Sequence, residues 1–251
     1  MPGDSEARKA ATRHGSRFSA KTLDWPRSAP RVTAVSSSGP AGSGRKAHRR
    51  CAPCLGLSAR TRKKRESGAL RTDYGQPVNG IFQYAYVVED LEQAMREYEL
   101  LGVGPWYLTD SFSPAAARYR GKPTQLTAQL AFAYSGSVQI ELVKQHDDSP
   151  SVFREVVERR GYGFHHFGLN TTDFDASVAR LQKAGYQEAY YDVFGDNVRV
   201  MYFDTSDRLP GMTEFIELSP GWEALQTAMW SASLNWDGSR PIRPFSEVAG
   251  G

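Results

Sequence analysis

The feature that most constrains this chain is an internal repeat with a spacing of 83 positions. Sliding Ile81-Phe82-Gln83-Tyr84 onto Phe164-His165-His166-Phe167 places Gln83 on His166. The same offset superposes Leu91 on Phe174, Met95 on Val178, Tyr98 on Leu181 and Gly102 on Gly185. Each half closes on an apolar segment with a carboxylate near its centre, Val138-Gln139-Ile140-Glu141-Leu142 and Glu214-Phe215-Ile216-Glu217-Leu218. A supersecondary unit that recurs must stack on its copy to bury its apolar face. Two such units predict one domain built around their junction.

Local patterns fill in each unit. Residues 81–88 are rich in aromatic and β-branched side chains and predict a strand. Asp90 then caps a helix with Gln93 three residues on, the apolar stripe runs through Leu91, Ala94, Met95, Tyr98 and Leu101, and Gly102 stops it. Residues 103–123 are broken by Gly104-Pro105 and Ser113-Pro114; their aromatic and basic residues mark a structural loop or a substrate lid. Residues 126–134 and 138–143 form a hairpin about Ser135-Gly136-Ser137. A short helix from Asp148-Ser149-Pro150 to about Arg159 leads into the second unit. There a strand over 164–171, a helix capped at Thr172 or Asp173, and strands near 188–194, 197–204 and 213–218 repeat the order. The expected class is α+β, with two βαβββ modules (about 78–145 and 161–219) pairing around a half-open, barrel-like cavity.

Charge separates this domain from what precedes it. Residues 1–75 carry 17 Lys+Arg against 5 Asp+Glu, and residues 76–251 carry 14 against 23. The first stretch is poor in apolar residues that could offset the entropy of ordering, and predicts a disordered basic tail. Its run Arg60-Thr61-Arg62-Lys63-Lys64-Arg65 offers a nucleic-acid or targeting reading, which the acidic domain opposes. Cys51-Ala52-Pro53-Cys54 supplies two thiolates where a structural zinc site needs four ligands. The domain is expected over 76–220, followed at 221–251 by a helix and an extended arm that packs on the domain or a partner subunit. No apolar run approaches the ~20 residues of a membrane span. A cytoplasmic homodimer acting on a small molecule is the expectation.

Strand alternation assigns faces. Gln83 shares a face with Ala85, and His166 with Gly168. Gln139 and Glu141 oppose Ile140 and Leu142, and Glu217 and Ser219 oppose Ile216 and Leu218. His165 and His166 are adjacent and cannot both face a cavity from a regular strand; the repeat selects His166, leaving His165 a supporting or core role. Gln, Glu, His and Glu converging from four strands is a donor set for a cation, because two buried carboxylates without one would repel each other.

The paired units resemble the vicinal oxygen chelate superfamily, which includes glyoxalase I, methylmalonyl-CoA epimerase, extradiol dioxygenases and fosfomycin-resistance proteins. The resemblance covers residues 78–219 and rests on Phe82-Gln83-Tyr84, Ile140-Glu141-Leu142, His165-His166-Phe167 and Ile216-Glu217-Leu218. It implies one divalent metal ion (Zn, Mn, Co, Ni or Mg) on Gln83, Glu141, His166 and Glu217. The run from Glu141 through Asp148-Ser149-Pro150 to His166 is similar to the epimerase, whereas the ligand order follows zinc glyoxalase I. Val87 and Gln145 stand where that enzyme has its glutathione-binding arginine and asparagine. The resemblance implies a metal-dependent isomerase, epimerase or lyase that removes a proton beside a carbonyl of a 2-oxo, thioester or hemithioacetal substrate. Glu217 is the expected base and Glu141 its counterpart across the metal. A binding protein without chemistry is the alternative, with a dioxygenase behind it.

Overall fold

The computed structural model describes residues 71–195 and 197–249. The basic run at 60–65, the cysteine pair and the expected disorder of residues 1–70 lie outside the described residues. The ordered domain starts before the boundary at 75/76 that composition suggested. Tyr74 is completely buried and belongs to an aromatic cluster with Phe82, Tyr134 and Trp222.

The first module runs β1 (Ile81–Val87), α1 (Leu91–Glu99), β2 (Trp106–Leu108), a small hairpin of β3 (Arg118–Tyr119) and β4 (Lys122–Pro123), then β5 (Ala128–Ser135) and β6 (Val138–Gln145). After α2 (Val152–Arg160), the second runs β7 (Gly163–Thr171), α3 (Phe174–Lys183), β8 (Glu188–Phe194), β9 (Val198–Phe203) and β10 (Met212–Glu217). The chain then continues through α4 (Pro220–Ser233), β11 (Ile242–Pro244) and α5 (Ser246–Ala249). Apart from the β3–β4 insertion, both units are βαβββ, as the repeat predicts.

One sheet holds these strands in the order β11-β2-β5-β6-β1-β7-β10-β9-β8-β3-β4. Each module pairs its first and last strands in parallel, and the modules meet through β1 and β7, which run antiparallel. The loop that offered itself as a lid is partly sheet: β3 crosses to pair with β8 of the other module. The C-terminal arm packs on its own domain, with β11 adding a parallel edge beside β2.

Helices α1 and α3 cover one face of the sheet. Asp90 and Asp173 cap α1 and α3 by accepting hydrogen bonds from the backbone N–H groups of Gln93 and Ala176. Such caps satisfy donors that have no partner within the helix. Helix α1 buries Leu91 and Met95 against Trp106 and Leu142, while Leu101, expected in its stripe, is 77% exposed beyond the helix end. Helix α3 buries Phe174 against Met201, Phe203 and Phe215. The opposite face is left for a cavity, which α4 and α5 wall from one side.

Candidate metal centre

The two central strands each carry one extra residue, and these irregularities aim the site. In the β1–β7 ladder, Ile81 pairs with Leu169 but Gln83 with Gly168, so Phe82 is extra. Ala85 pairs with His166 but Tyr86 with Phe164, so His165 is extra. The two positions are 83 apart and therefore equivalent in the repeat. A bulge breaks strict alternation and re-aims side chains. That is why His165 and His166 are both fully buried with their rings in contact, contrary to the expectation for a regular strand.

Their hydrogen bonds fix the protons. His165 Nε2 lies 3.1 Å from the Val152 carbonyl oxygen, which can only accept, so Nε2 carries the hydrogen. Burial, then the neighbouring His166, holds His165 well below the ordinary imidazole pKa and keeps it neutral. Its Nδ1 is therefore an acceptor, and receives a hydrogen bond of 2.8 Å from His166 Nδ1. His166 is left with Nε2 as its free face. An imidazole whose other nitrogen is tied down in this way is a preset ligand.

His166 Nε2 faces two carboxylates, Glu141 Oε2 at 3.3 Å and Glu214 Oε2 at 3.1 Å. One ligand atom from each of the three residues lies within 4.8 Å of the others, and all three residues are buried. Burial alone would lower the pKa of His166, but the carboxylates of Glu214 and Glu141 beside it outweigh burial and raise it to about 9. Burial raises the carboxyl of Glu141, against the pull of His166. Despite the short distances, Glu141 Oε2, Glu214 Oε2 and His166 Nε2 have no hydrogen bond of acceptable geometry. They point toward a common centre rather than along bonds to one another.

Gln83 stands near them on β1, in the module that also supplies Glu141. Its Nε2 donates to Gln139 Oε1 at 2.8 Å, while its Oε1 is buried with no partner. The amide lies over Gly168, where an added Cβ would stand 2.2 Å from that oxygen. The repeat-equivalent residue beside His166 is Ala85, again small. Buried polar atoms are nearly always paired; the unpartnered Gln83 Oε1, Glu141 Oε2, Glu214 Oε2 and His166 Nε2 fit a divalent cation. An amide oxygen, an imidazole and two carboxylates suit Zn, Mn, Co, Ni or Mg.

Glu217 does not belong to this set, which corrects the sequence expectation. It ends β10 and receives hydrogen bonds from Arg199, Nε to Oε2 at 2.8 Å and Nη2 to Oε1 at 2.7 Å. Arg199 also bonds Asp175 at the surface and holds the Glu217 carboxyl below its usual range. Glu214, not Glu217, faces the cavity, and the structure does not bring Glu217 to the group. The error was one of register. Matching Ile140-Glu141-Leu142 to Ile216-Glu217-Leu218 uses a shift of 76, whereas the ladders set Gln139 beside Gln83 and Met212 beside His166, a shift of 73. That shift maps Glu141 onto Glu214. An odd slip exchanges the faces of a strand: Phe215 packs under α3, and Ile216 lines the cavity with Glu214.

The cavity above the group has a volume of about 1020 Å³. Its polar floor of Gln83, Glu141 and Glu214 lies beneath walls that include Phe112, Phe132, Phe153, Val200 and Trp222. Tyr202 packs edge-on against His166 with ring centroids 4.8 Å apart. No Lys or Arg lines the cavity among the described residues. His146, in the turn after β6, does not reach it.

A family model described as the glyoxalase/bleomycin resistance protein/dioxygenase superfamily matches residues 82–202. Among curated proteins none matches the chain. Solved structures match the chain at low identity. A methylmalonyl-CoA epimerase from Mycobacterium tuberculosis is 22% identical, with a TM-score of 0.41 over 59% of this chain and 93% of that one. A hypothetical protein from Bacillus halodurans C-125 is 16% identical, with a TM-score of 0.41 over 56% and 94%. A methylmalonyl-CoA epimerase in complex with methylmalonyl-CoA and NH4+ is 16% identical, with a TM-score of 0.41 over 57% and 97%.

Proposed function

Since residues 82–202 belong to this glyoxalase-like superfamily, the vicinal oxygen chelate proteins, we propose that the chain is a divalent-metal-dependent isomerase, epimerase or lyase. Glu141, His166 and Glu214 would hold the ion, with the Gln83 amide oxygen as a fourth donor. The observation that carries this reading is a set of four buried polar atoms, each without a hydrogen-bond partner: Gln83 Oε1, Glu141 Oε2 and Glu214 Oε2 on residues of the cavity floor, and His166 Nε2 beside the two carboxylates. A divalent ion bound there would supply Lewis acidity to substrate oxygens, worth several kcal/mol in transition-state charge stabilisation.

The chain's own residues do the rest. His165 holds His166 in the tautomer that presents Nε2. Glu141, a carboxyl made more basic by burial, takes a proton from the carbon beside a carbonyl and returns it. General base catalysis by a positioned carboxylate contributes roughly 10²–10⁴-fold. The apolar walls exclude water from the transfer. The substrate is a 2-oxo, thioester or hemithioacetal compound, and a cytoplasmic homodimer belongs to the same reading.

The test is full-length chain loaded with Zn, Mn, Co, Ni or Mg and incubated in D2O with such compounds. Stoichiometric metal and solvent deuterium at the carbon beside the carbonyl, both lost in Glu141→Gln, are expected. One observation favours a second reading, a metal-bearing binding protein. With Glu217 held by Arg199, both carboxylates on the cavity floor are candidate ligands. Stoichiometric metal with no exchange on any compound selects it.

A further inference from the structure

The cavity has a second polar position that the metal group does not use. On the cavity face of β8, Asp192 stands between the aromatic residues Tyr190 and Phe194. It is 6% exposed, and its Oδ1 has no hydrogen-bond partner. Its Oδ2 accepts one long bond of 3.4 Å from the Tyr190 hydroxyl. A carboxylate in an apolar wall is costly unless something donates to it, and burial holds this one above the ordinary aspartate range.

The ladders place it relative to the metal group. Tyr190, Tyr202 and Glu214 form one row across β8, β9 and β10, and Asp192, Val200 and Ile216 form the next row on the same face. Asp192 is thus two strands across and one same-face step along from Glu214, about 12 Å between Cα atoms. The wall between them is apolar, with Val200 and Ile216 in the cavity lining.

We infer that Asp192 is a specificity-determining acceptor that recognises a hydroxyl group at the far end of an uncharged, ring-bearing ligand whose paired oxygens face Glu141, His166 and Glu214. The inference rests on the proposed metal centre for the near end of the ligand and on Asp192 alone for the far end. Anionic carriers are disfavoured inside the cavity, because no cation among its described lining residues would receive them. Tyr190 holds Oδ2 and leaves Oδ1 for the ligand. The hydroxyl donates to Oδ1 and no bond is made or broken.

Two probes test this: 4-phenylbenzohydroxamic acid and its 4′-hydroxy derivative, titrated calorimetrically into full-length chain with and without zinc. Wild type should bind the hydroxylated probe about tenfold more tightly, the scale of a hydrogen bond to a charged group. Asp192→Ala should abolish that preference, and Asp192→Asn, which keeps an acceptor without the charge, should reduce it. Should the Ala variant not fold, the Asn variant decides, and an undiminished preference there overturns the inference. Equal affinities in wild type, a preference that survives Asp192→Ala, or failure of both probes to bind would also overturn it. If the preference depends on Asp192 but zinc changes neither affinity, the far-end assignment stands and the metal centre fails.

Discussion

Exchanging Glu214 and Glu217 for glutamine, one at a time, separates the strand register seen in the structure from the one the local sequence suggests. Glu214 is buried, 3.1 Å from His166 Nε2, and lies within the three-residue group. Loss of residues that merely support a metal ligand weakens binding 10–100-fold, so loss of a charged ligand should cost at least about 100-fold. At zinc 1,000 times the wild-type dissociation constant, binding stabilises the fold by about 4.1 kcal/mol. A 100-fold weaker site at the same concentration gains only about 1.4 kcal/mol. For a domain of this size each kcal/mol moves the melting temperature by about 2–4 °C, so zinc should raise it by about 8–16 °C in wild type and about 3–6 °C in Glu214→Gln. Glu217→Gln loses only a partly exposed pair with Arg199, worth about 1 kcal/mol or less, and should keep the full zinc response. Thermal melts with and without zinc, beside elemental analysis of dialysed protein, make the measurement. A full zinc response in Glu214→Gln with a lost response in Glu217→Gln would refute the register and the centre together.

Replacing His165 by Phe keeps an aromatic ring beside Phe153 but frees His166 to turn or change tautomer; zinc affinity should fall 10–100-fold, as read by competition with a chromophoric chelator. In the metal-free protein, His166 has a folded-state pKa of about 9 against an ordinary 6.5. Its contribution is complete below pH 6.5 and is lost as pH rises through about 9, a change on the order of 3 kcal/mol. Melts in chelator should therefore fall across that window, and a flat profile would contradict the assignment. Gly168→Ala puts a Cβ 2.2 Å from Gln83 Oε1; overpacking of this kind costs about 1–3 kcal/mol. Displacing the amide should also weaken zinc binding, and an unchanged affinity would remove Gln83 from the ligand set.

The repeat revealed the two modules, their order and the equivalence of Gln83 and His166, because the strand and helix that open each module keep the same spacing. It failed at β10, whose register comes three residues earlier than the local look-alike implies. The apolar flanks of Glu141 and Glu217 are the same, Ile and Leu, so pattern alone favours Glu217; only hydrogen-bond register distinguishes it from Glu214. A shift carried from Gln139 to Met212 could have found Glu214, but nothing in the sequence states that shift. The bulge at His165 was equally hidden, since an extra residue in a ladder shows only when the partner strand is known. Asp192 and Tyr190 read as ordinary strand residues, and their place in the cavity depends on three strands folding over together.

Tyr74 has a practical consequence for anyone who shortens this chain. Its hydroxyl donates to Gln226 Oε1 at 2.8 Å and accepts from Asn170 Nδ2 at 2.5 Å. Asn170 Oδ1 in turn accepts from Trp222 Nε1 at 3.1 Å. Asn170 stands on β7, four residues beyond His166, so this phenol rivets the last long helix to the strand that bears the imidazole. A version trimmed at residue 76, where the charge balance turns, would discard the rivet and leave Asn170 Nδ2 and Gln226 Oε1 with only the direct bond of 2.9 Å between them. It should show a looser pocket than the intact molecule.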